Sequence, residues 1–198
     1  MERIFNGSRQ ANGSKIVMEF IKTKFNGAWL IEPIVHGDAR GFFLESYSLQ
    51  EFQKHGIPHN FVQDNHSMSA ETGVLRGLHF QEPPMAQSKL VRTIRGSVFD
   101  VIVDLRKNSS TFGQWQSFEL TESNFLMLFI PQGFAHGFCT MSPRTEFLYK
   151  VDNYYSPQHD SGFRWDDPAI GIQWPIKSPI LSEKDKKLPY LKNSNYSF

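Results

Sequence analysis

The amino-acid sequence predicts an all-β domain, arranged as a sandwich or a barrel. Short strand-like segments follow one another with turn signals at intervals of about 8–12 residues, a spacing typical of such folds. Aromatic residues make up 14% of the chain, with 18 Phe, and these residues favour strands and large buried faces. A length of 198 residues corresponds to one domain with a sizeable core.

Turn-forming residues separate the predicted strands. In order, these strands cover residues 29–33, 41–47, 61–63, 73–80, 89–94, 98–104, 115–120, 124–130, 137–140 and 145–151. Within 98–104 the residues alternate, so Phe99 and Val101 face one way while Asp100 and Ile102 face the other.

Two short helices are predicted beside the strands. Residues 48–56 favour a helix because Ser48 is a suitable N-cap, Glu51 completes a capping pattern and Gly56 is a stop signal. A last short helix is predicted from Ser182 onward.

The start of the chain differs from the rest. Residues 1–17 are mostly small and polar and lack the apolar run of a secretory signal. We interpret residues 1–17 as a polar N-terminal extension, the product of an upstream start or a cloning remnant. Residues 18–198 are then a single domain.

Composition excludes several function classes. The chain has 21 Lys and Arg against 20 Asp and Glu, a net charge of +1, which disfavours a nucleic-acid-binding protein. One cysteine, Cys139, excludes an intrachain disulfide and a multi-cysteine metal site, and fits a reducing cytoplasm. The apolar run 125–130 is far shorter than the roughly 20 residues of a membrane helix, so we expect no membrane partner.

His79 is a candidate catalytic base. In a strand it shares a face with Gly77 and Gln81, and a neutral imidazole facing a barrel interior can take up a proton. A carboxylate on its other ring nitrogen would set the tautomer. A structural histidine with satisfied hydrogen bonds is the alternative.

Two further histidines raise the question of a metal. His66, His79 and His136 could converge on zinc. The second histidine of a His-x-His motif is missing, however, because Gln81 follows His79. His136 follows a Pro-Gly turn, where it could meet a ligand or serve only as a turn residue.

Arg40, Phe43 and Glu45 combine a cation, an aromatic ring and an acid. These side chains could hold a phosphate, stack on a base and accept a base N–H, or simply form an ordinary edge strand. The sequence contains no Gly-rich phosphate loop, dinucleotide fingerprint or Gly-x-Ser-x-Gly motif. Nicotinamide, ATP and acyl-transfer chemistry are therefore disfavoured.

Taken together and in order, these segments resemble the dTDP-4-dehydrorhamnose 3,5-epimerases from about residue 18 to residue 188. The matching blocks are Gly37-Asp38-x-Arg40-Gly41-Phe42-Phe43, Phe61-Val62-Gln63-Asp64-Asn65, Leu75-Arg76-Gly77-Leu78-His79-Phe80-Gln81, Lys89-Leu90-Val91-Arg92, Phe99-Asp100-Val101-x-Val103-Asp104-Leu105-Arg106, Pro131-x-Gly133-Phe134-Ala135-His136-Gly137-Phe138, Tyr149-Lys150-Val151, Trp165-Asp166-Asp167-Pro168 and Leu181-Ser182-Glu183-Lys184-Asp185.

The resemblance implies a cupin-like jelly-roll β-sandwich that forms a homodimer, uses no cofactor and no metal, and works in the cytoplasm. It implies conversion of dTDP-4-dehydro-6-deoxy-D-glucose to dTDP-4-dehydro-L-rhamnose, a precursor for surface polysaccharide. By resemblance, His79 is the base oriented by Asp185, Tyr149 is the acid, and Lys89 stabilises the enolate oxygen.

The resemblance also implies substrate-binding residues. Arg40, Phe43 and Glu45 are expected to reach the site from the partner subunit. The remaining expected contacts are Gln63, Asp64, Asn65, Arg76, His136, Tyr154, Asp160 and Lys184. Many relatives have Glu where this chain has Asp160, and Arg where it has Ser161.

Three alternatives remain open at the level of sequence. One is an epimerase acting at C3 or C5 alone, or on a related nucleotide-linked 4-keto sugar; the presence of Tyr149 favours full epimerisation. The second is a non-catalytic sugar-binding protein, which predicts a broken His79–Asp185 pair or a missing acid. The third is a metal-dependent isomerase, which predicts loss of activity with a chelator.

Overall fold

Antiparallel strands dominate the computed structural model, which describes residues 10–11, 14–15, 18–58, 60–194 and 198. The strands are β1 (Gln10–Ala11), β2 (Ser14–Lys15), β3 (Met18–Lys22), β4 (Trp29–Pro33), β5 (His36–Asp38), β6 (Gly41–Phe43), β7 (Gln63–Ser69), β8 (Leu75–Gln81), β9 (Lys89–Arg95), β10 (Ser97–Asp104), β11 (Trp115–Thr121), β12 (Met127–Ile130), β13 (Phe134–Thr140), β14 (Thr145–Val151) and β15 (Asp160–Gly162). The helices are α1 (Leu49–Lys54), α2 (Glu183–Lys186) and a 3₁₀ turn at Leu191–Asn193. None of the described helices is long and apolar enough to cross a membrane.

Two larger sheets form the body of the domain. One has five strands in the order β11-β10-β13-β8-β15, and the other has six in the order β3-β4-β12-β9-β14-β7. Neighbouring strands in both sheets run antiparallel. This arrangement confirms the predicted all-β sandwich.

The main core lies between the two sheets. Val98 and Ile102 of β10 pack with Val91 of β9 and Phe147 of β14, so one cluster joins both sheets. On the opposite face of β10, Val101 belongs to a second cluster, which the C-terminal segment covers. The predicted alternation within 98–104 is therefore confirmed.

Short peripheral elements cover the outer sheet faces. Phe52 of α1 is fully buried against the outer face of the six-stranded sheet. On the five-stranded sheet, Phe163 and Leu191 supply the cover. Both sheets are thus covered on two sides, apart from their ends.

The helix predictions are confirmed, with one difference at α1. Ser48 occupies the N-cap position, but its side chain makes no capping hydrogen bond. At α2, by contrast, the Ser182 hydroxyl accepts a hydrogen bond from the Asp185 amide.

Several strand predictions were wrong in extent. The strand predicted over 124–130 is Met127–Ile130, and the one predicted over 137–140 is Phe134–Thr140. Two others differ more. The strand predicted over 61–63 is instead β7 (Gln63–Ser69). Its residues are mostly polar, so it lacks the apolar alternation by which strands are predicted. The strand predicted over 41–47 ends at Phe43, where β5 and β6 form a small exposed hairpin. Most of the predicted extension 1–17 lies outside the described residues.

Candidate active site

A polar cavity of about 310 Å³ opens between the two sheets at one end of the sandwich. Its walls come from β7, β9 and β14 of one sheet, from β8 and β15 of the other, and from α2. The lining residues are Gln63, Asn65, His79, Phe80, Gln81, Gln87, Lys89, Tyr149, Tyr155, Asp160 and Lys184. A cavity of this size is typical of small-molecule sites.

His79, in the cavity wall, forms a hydrogen-bonded pair with Asp185. The His79 Nε2 lies 2.6 Å from Asp185 Oδ1, although 106 residues separate the two in the chain. Asp185 is 4% exposed, so its carboxylate is shielded from water. Burial opposes ionisation, but hydrogen bonds from His79 and Ser182 lower the pKa of Asp185 below its ordinary value.

Local structure fixes both members of this pair. Ser182 caps α2 and donates from its hydroxyl to Asp185 Oδ2 at 2.7 Å, which orients the carboxylate. Strand β15 runs beside His79, and a Cβ at Gly162 would lie 2.3 Å from the Leu78 carbonyl oxygen. Glycine at 162 therefore permits this close approach.

Tyr149 lies on the opposite wall of the cavity. It belongs to β14 of the six-stranded sheet, whereas His79 belongs to β8 of the five-stranded sheet. Burial raises the pKa of Tyr149, Arg76 opposes this shift, and Asp160 adds to it. The phenol thus remains protonated at neutral pH and can donate a proton.

Lys89 places a cation in the same cavity. Its Nζ lies 6.0 Å from the centre of the Tyr149 ring. Desolvation lowers the pKa of Lys89 to about 8, while Asp160 and Asp100 partly oppose this shift. The ammonium is therefore charged at neutral pH but weakly hydrated, which strengthens its attraction for a developing anion.

The depressed pKa of Lys89 predicts how stability varies with pH. Because the folded state loses this proton near pH 8 and the unfolded state near pH 10.5, the free-energy cost of burying Lys89 decreases as pH rises between these values. We expect wild-type protein to gain stability relative to Lys89→Met by up to about 1.4 kcal/mol per pH unit in this window. Urea unfolding at pH 7, 8, 9 and 10 measures the difference, and parallel curves would contradict the prediction.

A second histidine–carboxylate pair lies beside the first. His136 Nε2 is 2.8 Å from Asp100 Oδ2, and both residues are buried. His136 is the cross-strand neighbour of His79. Sequence reasoning named His136 but missed Asp100 as its partner, although an acidic residue within the apolar strand 98–104 was a signal.

An ionic cluster forms the rim of the cavity. Asp160 Oδ2 accepts hydrogen bonds from Lys184 Nζ and, at 2.8 Å, from the Tyr155 hydroxyl. Asp160 and Lys184 were predicted from sequence, whereas Tyr155 was not. The expected substrate contact was its neighbour Tyr154, which is 62% exposed and does not line the cavity.

Several other predicted contacts lie away from the cavity in this single chain. Arg40, Phe43 and Glu45 lie on or just after the exposed β5–β6 hairpin, where Arg40 pairs with Asp38. Asp64 is exposed and pairs with Lys150. These residues do not line the cavity of their own subunit, and their exposure is compatible with a contact to the cavity of a second subunit.

Arg76 lies at the edge of the site. Its guanidinium is near the Ser69 hydroxyl, with Nε 3.4 Å from Oγ, and it is close enough to Tyr149 to act on that residue's pKa. Arg76 is exposed and available to an anion.

The convergence of His66, His79 and His136, which the sequence left open, does not occur. His66 lies on the exposed face of β7, and its Nε2 is 3.1 Å from Glu146 Oε2. The alternation of a strand places His66 opposite the cavity-lining Asn65. Among the described residues, no group of three or more His, Cys, Asp or Glu side chains is arranged to hold a metal ion.

Chemically, the cavity combines an oriented imidazole on one sheet with a protonated phenol and a desolvated ammonium on the facing sheet. This set can remove a proton from one side of a bound ring and return one from the other side. The ammonium can stabilise negative charge that forms during the transfer.

Comparisons with known proteins give a consistent result. A family model described as dTDP-4-dehydrorhamnose 3,5-epimerase matches residues 22–193. A dTDP-4-dehydrorhamnose 3,5-epimerase of Shigella flexneri is 51% identical over 169 residues, which cover 85% of this chain and 93% of that protein.

Solved structures agree with the sequence matches. The Bacillus anthracis dTDP-4-dehydrorhamnose 3,5-epimerase with TDP and PPi bound superposes with a TM-score of 0.86 at 54% identity, covering 88% of this chain and 99% of that one. The Legionella pneumophila dTDP-6-deoxy-D-glucose-3,5-epimerase in complex with dTDP-4-keto-L-rhamnose superposes with a TM-score of 0.85 at 43% identity, covering 89% and 94%. The fold is therefore the cupin-like jelly roll that the resemblance implied.

Proposed function

The chain belongs to the dTDP-4-dehydrorhamnose 3,5-epimerase family of isomerases, and we propose that its cavity inverts both C3 and C5 of dTDP-4-dehydro-6-deoxy-D-glucose. The product would be dTDP-4-dehydro-L-rhamnose. The proposal gives His79 the role of base, Tyr149 that of acid and Lys89 that of enolate stabiliser.

The chemistry of the substrate explains why these roles are needed. A ketone at C4 acidifies the C–H bonds at C3 and C5, because each carbanion delocalises into an enolate. Inversion requires removal of the proton from one face and return of a proton to the other face. The site must therefore hold a base and an acid on opposite sides of the sugar.

The observation that carries the proposal is the placement of His79 and Tyr149 on facing sheets. Because Asp185 accepts a hydrogen bond from His79 Nε2–H, the lone pair of the neutral ring lies on Nδ1, which we assign as the base. The imidazolium formed is stabilised by the adjacent carboxylate. The Tyr149 hydroxyl then supplies the proton from the other wall.

The nucleotide is proposed to lie along the polar rim. The Bacillus anthracis and Legionella pneumophila relatives hold TDP and a dTDP-sugar respectively, which supports a nucleotide site in this family. In this chain Gln63, Asn65 and Lys184 line the cavity. Arg76 is exposed beside it and supplies the charge that a diphosphate requires.

A homodimer is proposed to complete the site. The β5–β6 hairpin is exposed along its whole length, and Phe43 is 66% exposed. The Arg40 side chain is 89% exposed. An exposed cation next to two exposed rings suits a contact with a nucleotide in a second subunit.

A mixing experiment tests whether Arg40 acts across the dimer. Arg40→Ala should lower kcat/KM by roughly 10- to 100-fold, as expected for a lost charge-assisted hydrogen bond. Co-expression with His79→Ala should restore about a quarter of wild-type activity, because half the subunit pairs are mixed and each contains one intact site.

Arg164→Ala is the matched control, since Arg164 pairs with Asp166 two residues away as Arg40 does with Asp38. Arg164→Ala should leave activity unchanged. Absence of restored activity in a co-expressed mixture of confirmed dimers would place Arg40 in its own subunit's site, or outside the site altogether.

The main test is deuterium exchange. The purified protein is incubated with dTDP-4-dehydro-6-deoxy-D-glucose in D₂O with EDTA, and NMR follows C3 and C5. Exchange at both carbons supports the proposal. Exchange at one carbon indicates a single-site epimerase, and exchange only without EDTA indicates a metal-dependent isomerase.

Two expectations stay attached to the proposal. Residues 18–198 act as one catalytic domain without a cofactor. The cytoplasm is the proposed location, because Cys139 is buried as a free thiol and a reducing compartment preserves such a group.

A further inference from the structure

Three glutamine side chains hold four consecutive backbone residues, 153–156, beside the cavity. Gln87 Nε2 donates to the Asn153 carbonyl at 2.8 Å, and Gln63 Oε1 accepts from the Tyr155 amide at 3.4 Å. Gln81 makes the other two bonds: Nε2 donates to the Tyr154 carbonyl at 3.1 Å, and Oε1 accepts from the Ser156 amide at 2.7 Å. We call residues 153–156 the clamped segment.

Gln81 is the centre of this arrangement. It is 4% exposed, and its Nε2 also donates to the Met85 carbonyl at 2.6 Å. One side chain therefore joins the clamped segment to the loop 82–87. Both N–H donors and the carbonyl oxygen of the Gln81 amide are used.

The clamped segment carries Tyr155 into the cavity wall. The segment is irregular rather than part of a strand, so no neighbouring strand pairs with its backbone, and glutamine side chains bond to four of its backbone groups instead. Tyr155 lines the cavity, and its hydroxyl donates to Asp160, which also accepts from Lys184. Gln87, on the other joined loop, lines the same cavity.

We propose that Gln81 is a positioning residue that holds Tyr155 and Gln87 in place as the wall against which the sugar nucleotide binds. The identity of the bound substrate rests on the proposed function, whereas the hydrogen bonds of Gln81 to the clamped segment do not. Gln81, which occupies the position of the second histidine in a His-x-His pair, thus has a positioning role. An amide suits this position because a carboxylate has no donor and an imidazole, with two ring nitrogens, cannot form these three bonds together.

Gln81→Glu tests the proposal through binding. The new carboxylate can still accept from the Ser156 amide, but it would face the carbonyls of Tyr154 and Met85 without a proton to donate. We expect KM for the dTDP-sugar to rise about 10- to 100-fold, with a smaller change in kcat.

The same variant predicts a pH signature that simple destabilisation would not produce. Burial and two nearby carbonyl oxygens raise the pKa of the new carboxyl group. Its protonated form can donate one of the two lost hydrogen bonds. The ratio of mutant to wild-type KM should therefore fall as pH is lowered from 8 to 6.

Amide hydrogen exchange measures the stability of the clamped segment independently of catalytic turnover. In Gln81→Met, which lacks all three hydrogen bonds, the amide of Ser156 should exchange at least tenfold faster than in wild type, while amides in β10 are unchanged. If wild-type protein fails to turn over but this exchange difference appears, the proposed function falls and the clamp stands.

Two further variants complete the test. Gln173→Glu is the matched control, because Gln173 lies in an exposed loop and, among the described residues, its side chain bonds to the nearby Gly171 carbonyl alone. If Gln81→Glu does not fold, Gln87→Leu removes one bond to the clamped segment and should raise KM and speed exchange there. Folded Gln81 variants with wild-type KM and wild-type Ser156 exchange would overturn the proposal.

Discussion

His79→Ala is expected to reduce kcat by a factor of at least about 10²–10⁴, the range that a positioned general base contributes. Deuterium should no longer enter C3 or C5, because the same imidazole is proposed to remove both protons. Binding of dTDP should change little, since the nucleotide is proposed to lie along the rim rather than on His79. NMR exchange and calorimetric titration of dTDP measure the two effects separately.

His66→Ala is the control for this prediction. His66 also pairs with a carboxylate, but on the exposed face of β7, so its loss should leave exchange unchanged. Asp185→Asn adds a graded result: the His79 ring remains in place, but its tautomer and charge are no longer set by a carboxylate. Normal exchange in folded His79→Ala would remove His79 from the mechanism.

Lys89→Met is expected to lower kcat at pH 7 by about 10²–10³, the usual cost of removing one group that stabilises a developing oxyanion. The enolate formed at C4 carries its charge on oxygen, and Lys89 is the cation in the cavity whose ammonium is most desolvated. A preorganised cation in such a site is more effective than one in water.

The wild-type pH profile provides an independent check on Lys89. Because the protonated form is the active one and its pKa is about 8 in the folded protein, kcat/KM should fall as pH rises above 8. Lys89→Met should lack this limb. Lys54→Met, which removes an exposed charge from α1, should retain both the rate and the profile. A Lys89→Met enzyme with wild-type kcat would exclude the electrostatic role.

Much of the sandwich was predictable from local patterns. Strand β14 was predicted with its observed bounds, and the two faces of β10 followed from simple alternation. Alternation encodes which side of a strand is buried, so it identifies strands that contribute to a core. It fails for β7, whose alternate residues face a polar cavity and solvent.

For the candidate site, the sequence predicted mainly which residues belong to it, because they occur in recognisable motifs. The motif around His79 and the segment that contains Asp185 are distant in sequence, and family resemblance alone joined them. The partner of His136, the role of Tyr155 and the three bonds of Gln81 were not predicted. Each depends on pairing between segments that lie far apart in the chain.

The sequence by itself therefore determined most strands with a buried face, the position of α2, the family and, through the family resemblance, the candidate acid, base and cation. Only the tertiary structure decided that His79 and Tyr149 face one another, that His66 points away and that Gln81 joins two loops. The physical reason is that local chain geometry sets which face a side chain takes. Sheet order and register, set by packing of the whole core, decide what that face meets.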